Sequence, residues 1–230
     1  MAPLPEHIFE GVVFFLNDDL SPELLATLKE LLQTAGAQCW EDSAGEINKA
    51  FPRSYRFNPE KVTHVITSTL DFPEYEACID PQADNVFNIA ADSHAVVVDL
   101  LKCSLRTPEQ PEWVQRSYTL GERQPERFYS PDAARIFSGV VIHASRMPKL
   151  EVELIMGAVQ SLGGSYKLNL TKEVTHLITP SEDSSKLSVL REPQNRQLGI
   201  CAVHPSWIDE SVKFNRLVDT APFAWPLDRA

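Results

Sequence analysis

Two histidines and four cysteines are the first side chains in this 230-residue chain whose chemistry asks for a role. His64 and His176 each follow a threonine in a short apolar run, Val62-Thr63-His64-Val65-Ile66-Thr67 and Val174-Thr175-His176-Leu177-Ile178-Thr179. An imidazole can ligate a metal or move a proton, but a metal site needs several ligands at fixed spacing. Neither histidine has such partners nearby in sequence, so both read as hydrogen-bonded core residues on buried strands. Cys39, Cys78, Cys103 and Cys201 are scattered and form no Cys-x-x-Cys pair. That spacing excludes a zinc ribbon or a redox motif. Nor does a zinc site of Cys39 or Cys201 with nearby histidines fit the spacing. The thiols read as reduced and mostly buried, as in an intracellular protein. No metal and no cofactor is expected.

Enzyme signatures are missing. No glycine-rich dinucleotide or phosphate loop, no Gly-x-Ser-x-Gly and no His-Glu-x-x-His occurs in the chain. Its 32 acidic residues include no pair placed for acid–base work, so catalysis is not expected. The formal net charge of −11 argues against a surface built for nucleic-acid backbones and favours protein partners, basic ones above all. No apolar run approaches the roughly 18 residues a membrane span needs. The start, Met1-Ala2-Pro3-Leu4-Pro5-Glu6, lacks the basic and apolar stretches of a secretory signal.

What positions these residues is an internal duplication. Ile8-Phe9-Glu10-Gly11-Val12-Val13 is echoed by Ile136-Phe137-Ser138-Gly139-Val140-Val141. The two Thr-His runs form a second matched pair. Pro111-Glu112-Trp113-Val114-Gln115-Arg116-Ser117 and Pro205-Ser206-Trp207-Ile208-Asp209-Glu210-Ser211 form a third, in the same order. The spacing between blocks differs, which predicts two domains with different loops, residues 6–130 and 134–227, joined by the polar stretch from Gly121 to Ala134. Each copy reads strand, helix, strand, strand, helix, strand, helix. Val12 to Leu16 is continuously apolar, as a strand covered on both faces should be. Ser21-Pro22 starts a helix whose stripe is Leu24, Leu25, Leu28, Leu31, Leu32 and Ala35, closed by Gly36. In the second copy Leu150, Leu154, Ile155, Ala158, Val159 and Leu162 are expected to do the same before Gly163-Gly164. Alternating strands and helices predict an α/β fold, a four-stranded parallel sheet flanked by helices in each copy. Trp113 and Trp207 are expected to pack the last helix of each copy onto its sheet. In the first copy, residues 38–61 read as a long connection between the second and third strands. His94 to Val98 is its candidate fourth strand, separated from Pro111 by Asp99 to Gln110. In the second copy Cys201-Ala202-Val203-His204 runs straight into Pro205.

Together these residues resemble the BRCT module, twice over and across nearly the whole chain. The resemblance rests on Gly11 and Gly139, Gly36-Ala37 and Gly163-Gly164, Thr63-His64 and Thr175-His176, Trp113 with Ser117, and Trp207 with Ser211. Thr67-Ser68-Thr69-Leu70-Asp71-Phe72-Pro73-Glu74-Tyr75, with Pro111 to Ser117 and Tyr129-Ser130-Pro131, is similar to the N-terminal BRCT pair of a fungal family. That family comprises multi-BRCT genome-stability scaffolds, represented by the Ty-transposition regulator of budding yeast and its fission-yeast counterpart. The resemblance implies a nuclear adaptor in the DNA damage response at stalled or damaged replication forks. It implies an SMC-type complex, an endonuclease scaffold and a cullin ubiquitin ligase as partners. A separate C-terminal pair in that family, which this chain does not cover, reads a phosphorylated histone.

Phosphopeptide-binding BRCT repeats also imply a site. It comprises a Ser or Thr after the first strand, a backbone N–H beside the glycine closing the first helix, and a Lys opening the second helix. These groups supply donors to a phosphate of about −1.5 to −2 charge. The first copy fails this test, because Asn17, Asp18 and Asp19 follow its strand and its second helix opens near the acidic Asp71 to Glu76. The second copy offers Ser145, Arg146, Gly163, Gly164 and Lys186 as phosphopeptide-binding candidates. A plain loop, a plain helix cap and a solvated lysine are the bland alternatives. Three functions follow as rivals: a scaffold reading phosphorylated partners, a constitutive module indifferent to phosphate, and a BRCT targeting segment of a DNA ligase or polymerase.

Overall fold

In the computed structural model, the described residues are 7–43, 61–71, 107–109, 111–196 and 198–227. The chain divides into two compact units, Met1–Gln124 and Pro125–Ala230. Among the described residues each holds one four-stranded sheet whose strand pairs are all parallel.

The first unit comprises β1 (Val13–Leu16), α1 (Pro22–Thr34), β2 (Gln38–Cys39), α2 (Trp40–Ser43), β3 (His64–Ile66), β4 (Thr107–Glu109) and α3 (Pro111–Leu120). Its strand order is β2-β1-β3-β4. The second unit begins with a 3-10 turn at Glu126–Phe128, whose Phe128 carbonyl accepts from the Gly139 N–H at 2.5 Å. It continues through β5 (Val141–Ala144), α4 (Lys149–Ser161), β6 (Ser165–Tyr166), β7 (His176–Ile178), α5 (Ser185–Arg191), α6 (Pro193–Arg196), β8 (Cys201–Val203) and α7 (Ser206–Lys213). The order β6-β5-β7-β8 repeats the first sheet, and so does the register: Phe14 pairs with His64 as Ile142 pairs with His176.

Strand alternation explains why these runs are apolar throughout. Ile142, Ile178 and Val203 face one core with Phe137, Val159 and Trp207. Their neighbours Val141, Leu177 and Ala202 face another with Val174, Leu187 and Leu190. Both faces of the sheet are therefore covered. At the head of α1, Ser21 accepts from the Leu24 N–H at 3.3 Å and Pro22 takes the first turn, as the sequence predicts.

Three expectations change. The strand beside β3 is Thr107–Glu109, which leads into α3 as β8 leads into α7. Its central Pro108 has no N–H to offer, which an edge strand tolerates and which hides it from a strand search. The residues 94–98 proposed for that place lie outside the described residues. Residues 38 and 39 are not loop but the two-residue β2, the counterpart of β6. In α4 the side turned inward is Val152, Ile155, Val159 and Leu162. Leu150 and Leu154 sit one face round and are 67% and 65% exposed.

Candidate phosphate-binding site

The two signature motifs turn out to be clamps. Thr175 Oγ1 donates to the Val141 carbonyl at 3.0 Å and accepts from the Val141 N–H at 2.8 Å, so it ties the start of β5 to β7. Its one proton being used, the same oxygen accepts from His176 Nδ1 at 2.8 Å, which fixes the proton on Nδ1. The imidazole stacks on Trp207 at 4.5 Å between ring centroids. Burial pushes its pKa down to about 4. The first unit repeats this arrangement: Thr63 bridges to Val13, His64 Nδ1 lies 2.8 Å from Thr63 Oγ1, and the ring stacks on Trp113 at 5.1 Å. There Arg123 donates to His64 Nε2 at 3.0 Å.

The tryptophan and the serine of the last helix hold a single residue between them. Trp207 Nε1 donates to the Val218 carbonyl at 2.9 Å, while Ser211 Oγ accepts from the Val218 N–H at 3.3 Å. Trp113 and Ser117 hold Gln124 in the same way, at 2.8 and 3.0 Å. Trp113, Trp207, Ser117 and Ser211 are all 0% exposed. Among the described residues no cluster of metal-ligating groups forms. Cys39 is buried and Cys201 is half-buried, while Cys78 and Cys103 lie outside the described residues.

The second unit brings Ser145, Arg146 and Lys186 to one corner. Ser145 follows β5, and its N–H donates to the Ile178 carbonyl at 2.9 Å. Its hydroxyl meets the Ser184 hydroxyl at 3.0 Å. Ser184 is the N-cap of α5 and is fully buried, yet it does not cap its own helix through its side chain. The Ser145–Ser184 contact therefore ties the strand end to the helix start, two residues before Lys186. Arg146 adopts a left-handed φ of +57° and reaches across to donate to the Asp183 carbonyl at 2.6 Å. Its own N–H donates to no acceptor among the described residues. His143 lies beneath on β5, 5% exposed, with Nδ1 donating to the Lys167 carbonyl at 3.1 Å. Burial lowers its pKa, and the nearby Lys186 ammonium lowers it further against that hydrogen bond. The corner thus presents a hydroxyl, a backbone N–H, a guanidinium and an ammonium above a neutral imidazole.

Gly163 and Gly164 are not part of it. They follow α4, which runs back to the other end of the sheet. The carbonyl before them, Leu162, accepts from Phe137 N–H at 2.9 Å ahead of β5, whereas Ser145 lies after it. The Gly164 N–H already donates to the Val159 carbonyl at 2.8 Å. Their glycine identity is a matter of packing. Gly163 has φ +94°, and a Cβ on Gly164 would come within 2.5 Å of Val159 Cγ1. The amide beside Ser145 belongs instead to Arg146. Ser184 and His143 were missed, since a serine before a helix and a lone strand histidine carry no distinctive signal.

Residues 140–207 match the family model of the twin BRCT domain. PAX-interacting protein 1 of Mus musculus is 26% identical over 95% of this chain, which spans 16% of that protein. BRCT-containing protein 1 of Schizosaccharomyces pombe is 31% identical over 43% of this chain, spanning 11% of its own length. Among solved structures, yeast Rtt107 with Mms22 aligns over 98% of this chain and 46% of the other, at 18% identity and a TM-score of 0.42. Rad4 BRCT1,2 in complex with a Crb2 phosphopeptide aligns over 96% and 99%, at 18% identity and a TM-score of 0.38. With one strand order, one register and one set of Thr-His and Trp-Ser clamps built twice, the chain has the α/β fold of a tandem BRCT pair, its second copy being the one that the family model matches.

Proposed function

We propose that this chain is a protein-interaction scaffold of the DNA damage response that reads a phosphorylated segment of a partner through its second domain. The observation that carries the reading is the Ser145 hydroxyl held at the end of β5 against the head of α5, with Lys186 in that helix's first turn. A phosphate there would take the Ser145 hydroxyl, the Arg146 N–H and the Lys186 ammonium, with Arg146 adding charge at the rim. Charge-assisted bonds of this kind are about twice as strong as neutral ones. No proton transfer is needed, in keeping with binding and not catalysis. The resemblance to the fungal scaffolds extends the proposal to nuclear complexes at replication forks: an SMC-type complex, an endonuclease scaffold and a cullin ubiquitin ligase.

A pull-down from cell extract, split by phosphatase treatment, tests this. Partners held by the second domain are expected to be lost after phosphatase and lost again with a Lys186→Glu bait. Capture indifferent to both would favour a constitutive, phosphate-independent module. The observation on that side is the first domain, whose corresponding corner is filled by its own carboxylate.

A further inference from the structure

In the first domain Asn17 follows β1 as Ser145 follows β5: its N–H donates to the Ile66 carbonyl at 2.9 Å, the counterpart of the Ser145 bond to Ile178. Two residues later the chain turns the Asp19 carboxylate back into this corner. Asp19 Oδ1 accepts from Asn17 Nδ2 at 2.8 Å. Oδ2 accepts from the Ser68 N–H at 2.6 Å and also from the Ser68 hydroxyl. Thr67 Oγ1 lies 3.2 Å from Oδ1 and shares its proton with the Thr69 carbonyl at 2.9 Å. Asn17 and Thr67 are 7% and 0% exposed, so these donors are set into the domain. Hydroxyl, amide and backbone N–H converging on one anion is how a bound oxyanion is held.

The second domain differs at both halves of this arrangement. Met147 stands where Asp19 stands, and Pro180, which has no N–H, stands where Ser68 stands. The internal anion and its principal donor are absent together, and the corner is organised by Ser145 and Ser184 instead. A carboxylate fixed on the first domain's donors satisfies them and repels a second anion at the same place.

We infer that Asp19 is a built-in anion that closes the strand-end corner of the first domain to phosphate, and that this corner becomes an oxyanion site when the carboxylate is removed. The inference stands on the first domain's own hydrogen bonds and does not need the second domain to bind anything.

Two-dimensional 1H–15N spectra of the whole chain, titrated with inorganic phosphate against sodium chloride of equal ionic strength, test it. In the unchanged chain the Ser68 amide resonance is expected to respond to phosphate no more than to chloride. In Asp19→Ser it is expected to move saturably with phosphate. A saturable, phosphate-specific shift of Ser68 in the unchanged chain, or none in a folded Asp19→Ser chain, overturns the inference. Should Asp19→Ser cost the first domain its dispersed spectrum, Asp19→Asn replaces it, keeping the shape and removing the charge. There the Ser68 amide is expected to move upfield and exchange faster with solvent, and an unmoved amide overturns the inference. The Arg146 amide, read in the same spectra, reports on the second domain separately, so a failure there counts against the proposed function alone.

Discussion

His176 shows how a residue that looks chemical is spent on structure. Its Nδ1 proton goes to Thr175, its face lies on Trp207, and burial holds its pKa near 4 against an ordinary 6.5. The unfolded chain therefore takes up a proton first as pH falls. The stability tied to the neutral ring is whole above about pH 6.5 and drains away as pH drops towards 4, by about 3 kcal/mol at the bottom of that window. Urea unfolding at steps across this range should show the loss, and His176→Phe should flatten it. At the same scale, Lys186→Glu should weaken binding of a phosphorylated peptide at least tenfold and leave the urea midpoint nearly unchanged, because Lys186 is a partly exposed side chain on the first turn of α5. Ser145 and Lys186 could be read as candidates from order along the chain. The N–H of Arg146 could not, because its exposure follows from a left-handed φ that arginine rarely adopts and no side-chain pattern announces.

The elements were legible where burial is periodic. β1, β3, β5 and β7 stand out as apolar runs because both faces of each sheet are covered, and α1 stands out through its stripe and its Ser-Pro start. β4 was not, because Thr-Pro-Glu has neither an apolar character nor a full set of ladder donors. Leu150 and Leu154 misled because leucine at helical spacing reads as core, whereas Val152 and Ile155 set the buried face of α4. The end of α7 offers a direct test of the Trp–Ser clamp. Ser211→Ala would leave the Val218 N–H without its acceptor in a site where Ser211 is fully buried, and should cost about 1–3 kcal/mol in chemical denaturation. Gly164→Ala separates packing from binding. Its Cβ would press on Val159 and Phe137, so thermal stability should fall, while affinity for phosphate should hold once the variant is compared below its melting temperature.

Across the molecule, one architecture has been given two different strand-end corners. The duplication itself was visible in three matched sequence blocks, and the repeated sheet order and register follow from it. The divergence was visible only in part: Asp18 and Asp19 promised repulsion of phosphate, but not that Asp19 would serve as the ligand of its own domain. The second domain is further closed by residues 221–227, where the Trp225 N–H donates to the Ala202 carbonyl at 2.8 Å and its indole to the Thr179 carbonyl at 2.9 Å. With a formal charge of −11 on the chain, the phosphate recognition proposed for the second domain rests on the local cations at its corner, Arg146 and Lys186. The most direct measurement is fluorescence polarisation with two matched degenerate peptide libraries, one carrying phosphoserine at its centre and one plain serine. The account predicts that the chain binds the phosphorylated library and that Lys186→Glu and Ser145→Ala each weaken that binding. Equal binding of both libraries, or phosphoserine binding that survives Lys186→Glu, would contradict it.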